Sequence, residues 1–343
     1  MEIIALHGNS CKVRRPSRRV LWVSVTAIGA ISIASTRAQF ARSVHARSDI
    51  RLLWLYGHRI GGPPGINWAR CYTTGTLSSG VNESSVLWDP EHGELDPANL
   101  NGFDAVIHLG GESMTSHRWS QAQKDRIHNS RVNSTELLAR AFQTATDPPS
   151  VFLCASASGF YGDRGDQVLT EGSKPGNDFL SDSTFAWERA TDDIVSAGVQ
   201  VCNLRFGLIL GQSGGVLARL LPIFRVGFGG RLASGRQYIS WISCRDTVRA
   251  IKHILKNDSM SGSVIVSSPD PVTNTEFTST LGKAVRRPAF FRVPKLALKI
   301  TQGEVTNVVL ASVRMQPSVL TESGFVFDHA DLATALAWAL NDY

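Results

Sequence analysis

Residues 104–142 read DAVIHLGGESMTSHRWSQAQKDRIHNSRVNSTELLARAF, and this stretch decides the fold. Ala105, Val106, Ile107 and Leu109 form a short apolar run that ends on Gly110-Gly111. A run apolar on both faces suits a parallel strand covered by helices on each side. In open α/β sheets, ligands sit beyond the carboxyl ends of such strands. A pair of residues without Cβ at that place lets a ligand approach the backbone. A loop follows, then a helix. Ser120 stands where an N-cap would, and Gln123 at N3 gives the spacing of a capping box.

On that helix Ile127, Ser134, Leu138 and Phe142 share one stripe at helical spacing, with Arg131 among them. A guanidinium on a core-facing stripe must be paired, because burying it bare is costly. Spacing leaves three arrangements open: an internal ion pair, a side chain that reaches solvent, or contact with a ligand at the end of the preceding strand.

The chain has 343 residues, 43% hydrophobic and 19% charged, which is ordinary globular composition. Its net charge of +6 is unevenly placed. Residues 1–48 hold eight Lys and Arg against Glu2 alone, a charge of +7, which leaves −1 on the rest. The body of the protein has no basic excess of the kind nucleic-acid binding requires. Five scattered cysteines without a C-x-x-C motif fit reduced thiols rather than a disulfide framework or a zinc site, and Cys154 and Cys202 lie in apolar runs as small core residues. No apolar stretch is long enough for a membrane-spanning helix.

Residues 1–48 admit several readings. They are rich in Arg and Ser and hold no acid between Glu2 and Asp49, as an organellar transit peptide does. Val20 to Ala34 follows a basic pair, as a secretory apolar segment does. The same residues also read as a first Rossmann strand, VLWVSV, and its turn, in which Gly29 is the single glycine between Thr26 and Ser32. Asp49 to Leu55 reads as a second strand. Arg59, with His58 beside it, follows where a basic residue accepts an adenosine 2′-phosphate; a solvated loop arginine is the alternative. Residues 57–85 read as a loop. Further strands are expected at Val151–Ala155, Val199–Leu204 and Val264–Ser267. Helices are expected around Ser183–Val195, at Asp246–Leu255 with Ser243 or Asp246 as N-cap, and at Asp331–Leu340.

Two further clusters carry chemistry. Ser156, Ser158 and Tyr161 follow the Val151–Ala155 strand in the order S-A-S-G-F-Y-G, which places hydroxyls at a strand's carboxyl end for acid–base work on an alcohol or carbonyl; a polar turn with a packed aromatic pair is the plainer reading. Arg236, Gln237, Tyr238 and Trp241 gather polar and aromatic groups as small-molecule pockets do.

From Trp88 onward the chain resembles the atypical extended short-chain dehydrogenase/reductases of the 39U "epimerase family" type. Some bacterial members carry labels as nucleoside-diphosphate-sugar epimerases or as cell-division-inhibitor-like proteins. The matching blocks are WDP at 88–90, DAVIHLGGE at 104–112, RW at 118–119, SR at 130–131, SASGFYGD at 156–163, WE at 187–188, LRFGLILG at 204–211, LPIFRVGFGG at 221–230, SGRQYISWI at 234–242, TNTEF at 273–277 and ESGFVF at 322–327. Together they span about 250 residues in order.

The resemblance implies an α/β fold: a doubly wound Rossmann-like domain over 20–215, preceded by a basic extension at 1–19. A smaller α+β substrate domain is expected over 216–343, with a strand and helix near 238–267 returning to the first domain. It implies NADP(H) rather than NAD, with cofactor contacts at Gly29, His58, Arg59, Leu109, Gly110, Asp125, Arg131 and Ile209. Ser158 is expected to hold the reacting oxygen, Tyr161 to be proton donor, and Arg236, Gln237 and Trp241 to orient a small hydroxylated or sugar-like substrate. The implied location is the cytoplasm, or an organelle if the N-terminus is a transit peptide. A homodimer is one assembly the resemblance allows.

Two features depart from the pattern. The family's G-G-T-G-x-I-G-like turn reads Thr26-x-x-Gly29-x-Ile31-Ser32, which places side chains near the pyrophosphate. The usual Y-x-x-x-K pair is missing, since Arg164 and Gly165 follow Tyr161 at +3 and +4. A tyrosine without a lysine to lower its pKa is a poor base at neutral pH. An alternative function is therefore a non-catalytic Rossmann protein that senses a nucleotide or binds a partner in cell or organelle division.

Overall fold

The structure, a computed structural model, describes residues 19–25, 51–58, 68–73, 82–114, 118–211 and 215–341, with side chains described from Trp88 onward. Gly29 and Arg59 lie outside the described residues, as does the proposed transit segment up to residue 18. His58 is described only as backbone.

The large sheet begins with β1 (Arg19–Val25), β2 (Arg51–His58), β3 (Trp68–Thr73), β4 (Asn82–Leu87) and β5 (Ala105–His108). It continues with β6 (Val151–Ala157), β8 (Gln200–Phe206) and β13 (Gly262–Val266) in the order β13-β8-β6-β5-β1-β2-β3-β4. VLWVSV is thus a strand, paired in parallel with β2 on one side and β5 on the other. The strand order reverses between β1 and β5, the switch point at which ligands bind in such sheets. The expected loop at 57–85 is instead interrupted by the antiparallel pair β3–β4, with Trp68 opposite Leu87. A segment such as WARCYT gives no continuous apolar run because it lies toward the sheet's edge. Its β-forming residues mark it as a strand only once a partner is in place.

Helix α1 (Gln121–Thr144) crosses from β5 to β6. Ser120 caps it by accepting from the Gln123 N–H at 3.2 Å. The reciprocal half of the expected box is absent, because Gln123 Nε2 donates to Glu112 Oε1 at 3.3 Å in the strand-to-helix loop. Ile127, Arg131, Ser134, Leu138 and Phe142 are all buried, as the stripe requires. A short strand β7 (Val168–Leu169) precedes α2 (Phe179–Arg189) and α3 (Asp192–Ser196). The expected single helix at 183–195 starts earlier, because Asp178 accepts from the Ser181 N–H. It also breaks at Thr191, whose hydroxyl donates to the Glu188 carbonyl.

The second layer follows: β9 (Leu208–Leu210), α4 (Gly215–Arg225), β10 (Gly230–Leu232), β11 (Tyr238–Ile239), β12 (Trp241–Ser243) and α5 (Cys244–Lys256). After β13 come β14 (Val272–Thr273), α6 (Asn274–Ala284), β15 (Phe291–Val293), α7 (Lys295–Gln302), α8 (Val305–Leu310), β16 (Arg314–Met315), α9 (Ser318–Glu322) and α10 (Leu332–Asn341). Ser243, not Asp246, is the N-cap of α5, accepting from the Asp246 N–H at 3.0 Å. Cys154 and Cys202 are buried free thiols.

Two cores result. The larger joins the sheet to α1, α2 and α5 through residues such as Phe152, Leu204, Trp187 and Ile251. The smaller gathers Leu217, Phe224, Trp241, Leu281 and Leu336 from α4, β12, α6 and α10. Among the described residues no helix is long and apolar enough to cross a membrane.

Candidate functional site

The carboxyl ends of β5, β6 and β8 lie side by side, and each ends in residues of small volume or with hydroxyl groups. After β5 come Leu109 and the buried pair Gly110-Gly111. Gly111 has φ of +147°, a conformation that L side chains rarely adopt. β6 runs into Ser158, half-buried, which opens a 3-10 turn through Tyr161. After β8 comes Gly207, where a Cβ would stand 2.9 Å from the Ser240 carbonyl oxygen. Ile209, buried in β9, is paired with Ile242.

Arg131 organises the loop after β5. Its Nη1 donates to the Ile127 carbonyl at 2.8 Å and its Nη2 to the Glu112 carbonyl at 3.1 Å. The guanidinium lies 5.2 Å from the Trp187 ring centroid. Burial pushes its pKa down to about 10, with the nearby Glu112 charge acting against that, so it stays cationic at neutral pH. Ser130 adds a second tie by accepting from the Glu112 N–H at 2.8 Å. The SR block therefore fixes the backbone that carries the glycine pair. Asp125 sits one and a half turns earlier on α1, exposed, and accepts from Gln121 Nε2 at 2.8 Å.

His108, the last residue of β5, is fully buried among Trp88, Phe152 and Trp187, with Nε2 3.0 Å from Ser134 Oγ. It joins the WDP, DAVIHLGGE and WE blocks into one packed unit.

Tyr161 does not present its hydroxyl to the strand ends. The side chain is fully buried, its O–H donates to the Thr170 carbonyl at 3.1 Å, and Arg205 Nη1 donates to it at 3.0 Å. Desolvation pushes its pKa up to about 12, with Arg205 pulling the other way. Burial holds it as a neutral phenol whose proton goes to the Thr170 carbonyl, and neither partner is a lysine. The proton-donor role expected for it has no geometric basis here.

The group that sequence reasoning missed stands next to it. Arg205 Nε and Nη2 donate to Glu188 Oε1 and Oε2 at 2.8 and 2.7 Å. Ser156 Oγ also donates to Glu188 Oε1, and Ser263 Oγ to Oε2 at 3.3 Å. The Arg205 guanidinium lies 3.5 Å from the Phe160 ring centroid. A signal was present: an arginine inside the apolar run VQVCNLRF needs a buried acid, and the WE block supplies it.

Of the three residues expected to orient a substrate, two are buried and one is exposed. Trp241 is fully buried in the smaller core, with Nε1 donating to the Asp270 carbonyl at 2.8 Å. Gln237 is buried and its Nε2 donates to the Leu232 carbonyl at 3.3 Å. Trp241 thus supports the strand that carries it, and Gln237 ties the residue before β11 to the end of β10. Arg236 is exposed. The turn after Tyr161 is clamped to the second layer, since Asp163 Oδ1 accepts from the Ser312 N–H at 3.1 Å and the Arg164 N–H donates to the Ser312 carbonyl at 2.9 Å.

Similarity to known proteins agrees with this geometry. Residues 94–266 match the NAD dependent epimerase/dehydratase family, and residues 293–339 match a domain of unknown function, DUF1731. An epimerase family protein of Mycobacterium bovis is 40% identical over 260 residues, 76% of this chain and 86% of that protein. The epimerase family protein YfhF of Bacillus subtilis is 32% identical over 262 residues, with the same coverages of 76% and 86%. Among solved structures, human epimerase family protein SDR39U1 with NADPH superposes with a TM-score of 0.72 at 24% identity, covering 94% of this chain and 99% of that one. A nucleoside-diphosphate sugar epimerase of Corynebacterium glutamicum gives 0.68 at 26% identity, covering 96% of this chain and 59% of that one. The buried ties among the WDP, LGGE, SR, WE and LRFG blocks, together with these matches, place the chain in the NAD dependent epimerase/dehydratase family.

Proposed function

We propose that the chain binds NADP(H) at the carboxyl ends of β1, β5 and β6 and acts as an oxidoreductase or epimerase on a small hydroxylated or sugar-like substrate. The observation that carries this reading is the buried Gly110-Gly111 pair at the switch in strand order. Two residues without side chains there leave backbone for a flat ring and ribose to pack against. The residues present fit the group at this end of the site. The NADPH carried by the human protein of similar fold supports the choice of the phosphorylated cofactor.

In this reading Leu109 and Gly110 form the cofactor's seat through their backbone, Ile209 backs it from β9, and Asp125 meets it from the exposed face of α1. Arg131 acts by holding the Glu112 carbonyl and hence the loop. Arg59, beside His58, takes the 2′-phosphate. When bound, the nicotinamide supplies hydride chemistry. Ser158 orients the substrate oxygen, and Arg236, exposed on the second layer, contacts the substrate's polar groups. With Tyr161 committed to Thr170 and Arg205, the proton passes through Ser158 or water rather than the phenol.

Titration with NADPH, followed by its fluorescence, tests the reading. Saturable binding tighter than that of NADH is expected. No binding at millimolar NADPH would end it.

A further inference from the structure

The second layer carries two stretches with one sign of charge, joined through β10 and β15, and each exposes large apolar side chains. Residues 215–236 contain Arg219, Arg225, Arg231 and Arg236, and residues 277–303 contain six more Lys and Arg, with no Asp or Glu in either stretch. All ten side chains are exposed. Residues 49–343 as a whole carry a net charge of −1, so the basic groups are segregated.

The fold brings the two stretches together. β10 and β15 pair in parallel with Arg231 opposite Arg292. Arg287 Nε donates to the Arg225 carbonyl at 3.0 Å, and Arg292 Nε to the Ala233 carbonyl at 2.9 Å. Across this seam Phe228 and Phe291 stand 5.7 Å apart, and Phe291 stacks on Phe290 at 4.9 Å. Phe228 is 66% exposed and Phe290 74%. On α7, Leu296 and Ile300, one turn apart, are 69% and 66% exposed, and each directly follows a lysine, Lys295 and Lys299. A shallow cleft of about 480 Å³ beside Phe290 is lined by Ser279, Lys283, Arg286 and Arg287. Exposed aromatic and aliphatic groups ringed by Lys and Arg, with no acid among them, are what a segment lying in the headgroup boundary of an anionic bilayer requires.

We propose that this face docks on an anionic membrane surface, with Phe228, Phe290, Phe291, Leu296 and Ile300 entering the acyl boundary. The cleft at Lys283, Arg286 and Arg287 takes a headgroup phosphate.

The test is co-sedimentation of the full-length protein with vesicles of phosphatidylcholine alone or mixed with phosphatidylglycerol. Binding to the mixed vesicles only, weakened by salt, is expected. Because residues 1–48 are also basic, variants assign the effect. The pair Leu296→Ser and Ile300→Ser, and separately Arg286→Ser with Arg287→Ser, should each reduce partitioning on the order of tenfold. Unchanged thermal unfolding shows that each variant is folded, and the exposed α7 pair serves if the arginine pair is not. Binding that survives in folded variants belongs to residues 1–48 and overturns the proposal. So does displacement by inorganic phosphate at matched ionic strength, which marks a free-anion site. A self-associating protein that these substitutions render monomeric, with no vesicle binding, overturns it in favour of a contact between two copies.

Discussion

Glu188 on α2 and Arg205 on β8 close a buried two-point ion pair, and the hydroxyls of Ser156 and Ser263 complete the carboxylate's partners. Arg205 is 4% exposed and Glu188 9%. One pair thus ties β6, β8, β13 and α2 directly beneath the Ser158 turn. Breaking a buried pair by removing one member leaves the other charge uncompensated and costs about 3–5 kcal/mol, whereas apolar replacement of both is often neutral. Urea unfolding of Glu188→Gln should show a loss of that size, and Glu188→Met with Arg205→Met should recover most of it. A single variant as stable as the parent would show the pair to be idle.

Tyr161→Phe is expected to cost about 1 kcal/mol, the net worth of a hydroxyl exchanging water for Thr170 and Arg205. The pH dependence carries a sign. The folded phenol has its pKa raised to about 12, above its ordinary value of about 10. Its contribution to stability is therefore complete below pH of about 10 and is lost as pH rises through the folded value. The stability gap between parent and Tyr161→Phe should stay constant up to that pH and narrow beyond it. A gap that opens below pH 8 would refute the assignment.

Gly111→Ala forces a side chain into φ of +147°. Such strain costs about 1–3 kcal/mol, and the added Cβ stands on the loop that we assign to NADPH. A lower melting temperature together with weaker NADPH binding is expected. Unaltered NADPH affinity in a folded variant would place the cofactor elsewhere.

Asp246 pins the segment after α9 to α5. Its Oδ1 accepts from the Asp328 N–H and its Oδ2 from the His329 N–H, both at 2.9 Å, and Arg249 Nη1 donates to Oδ1 at 2.8 Å. Asp246→Ala strands these donors. Each unsatisfied buried group costs about 1–3 kcal/mol. Limited proteolysis should then cut near residues 326–330 in the variant before the parent, and equal resistance would contradict the pinning role.

The sequence by itself determined the elements whose cause is local. The apolar run ending on Gly110-Gly111 read as a buried strand, and Ser120 sets where α1 starts. The stripe through Ile127, Leu138 and Phe142 set the face that α1 buries. Periodicity and capping depend on neighbours within a turn or two, so they can be read without coordinates. The ordered blocks carried the family resemblance, because residue identity and order are read without coordinates.

Tertiary structure decided which partner each buried polar group takes. Arg131 was open to an acid, solvent or a ligand until its carbonyl partners Ile127 and Glu112 were seen. Tyr161 reads from its motif as a proton donor, yet its bonds to Thr170 and Arg205 make it part of the core. Glu188 and Arg205 are 17 positions apart on a helix and a strand, and neither element's pattern names the other. The seam that joins Phe228 to Phe291 likewise depends on the pairing of β10 with β15. Burial demands that a charge be satisfied, but the direction of a side chain, and hence the group it meets, is set only when distant elements pack.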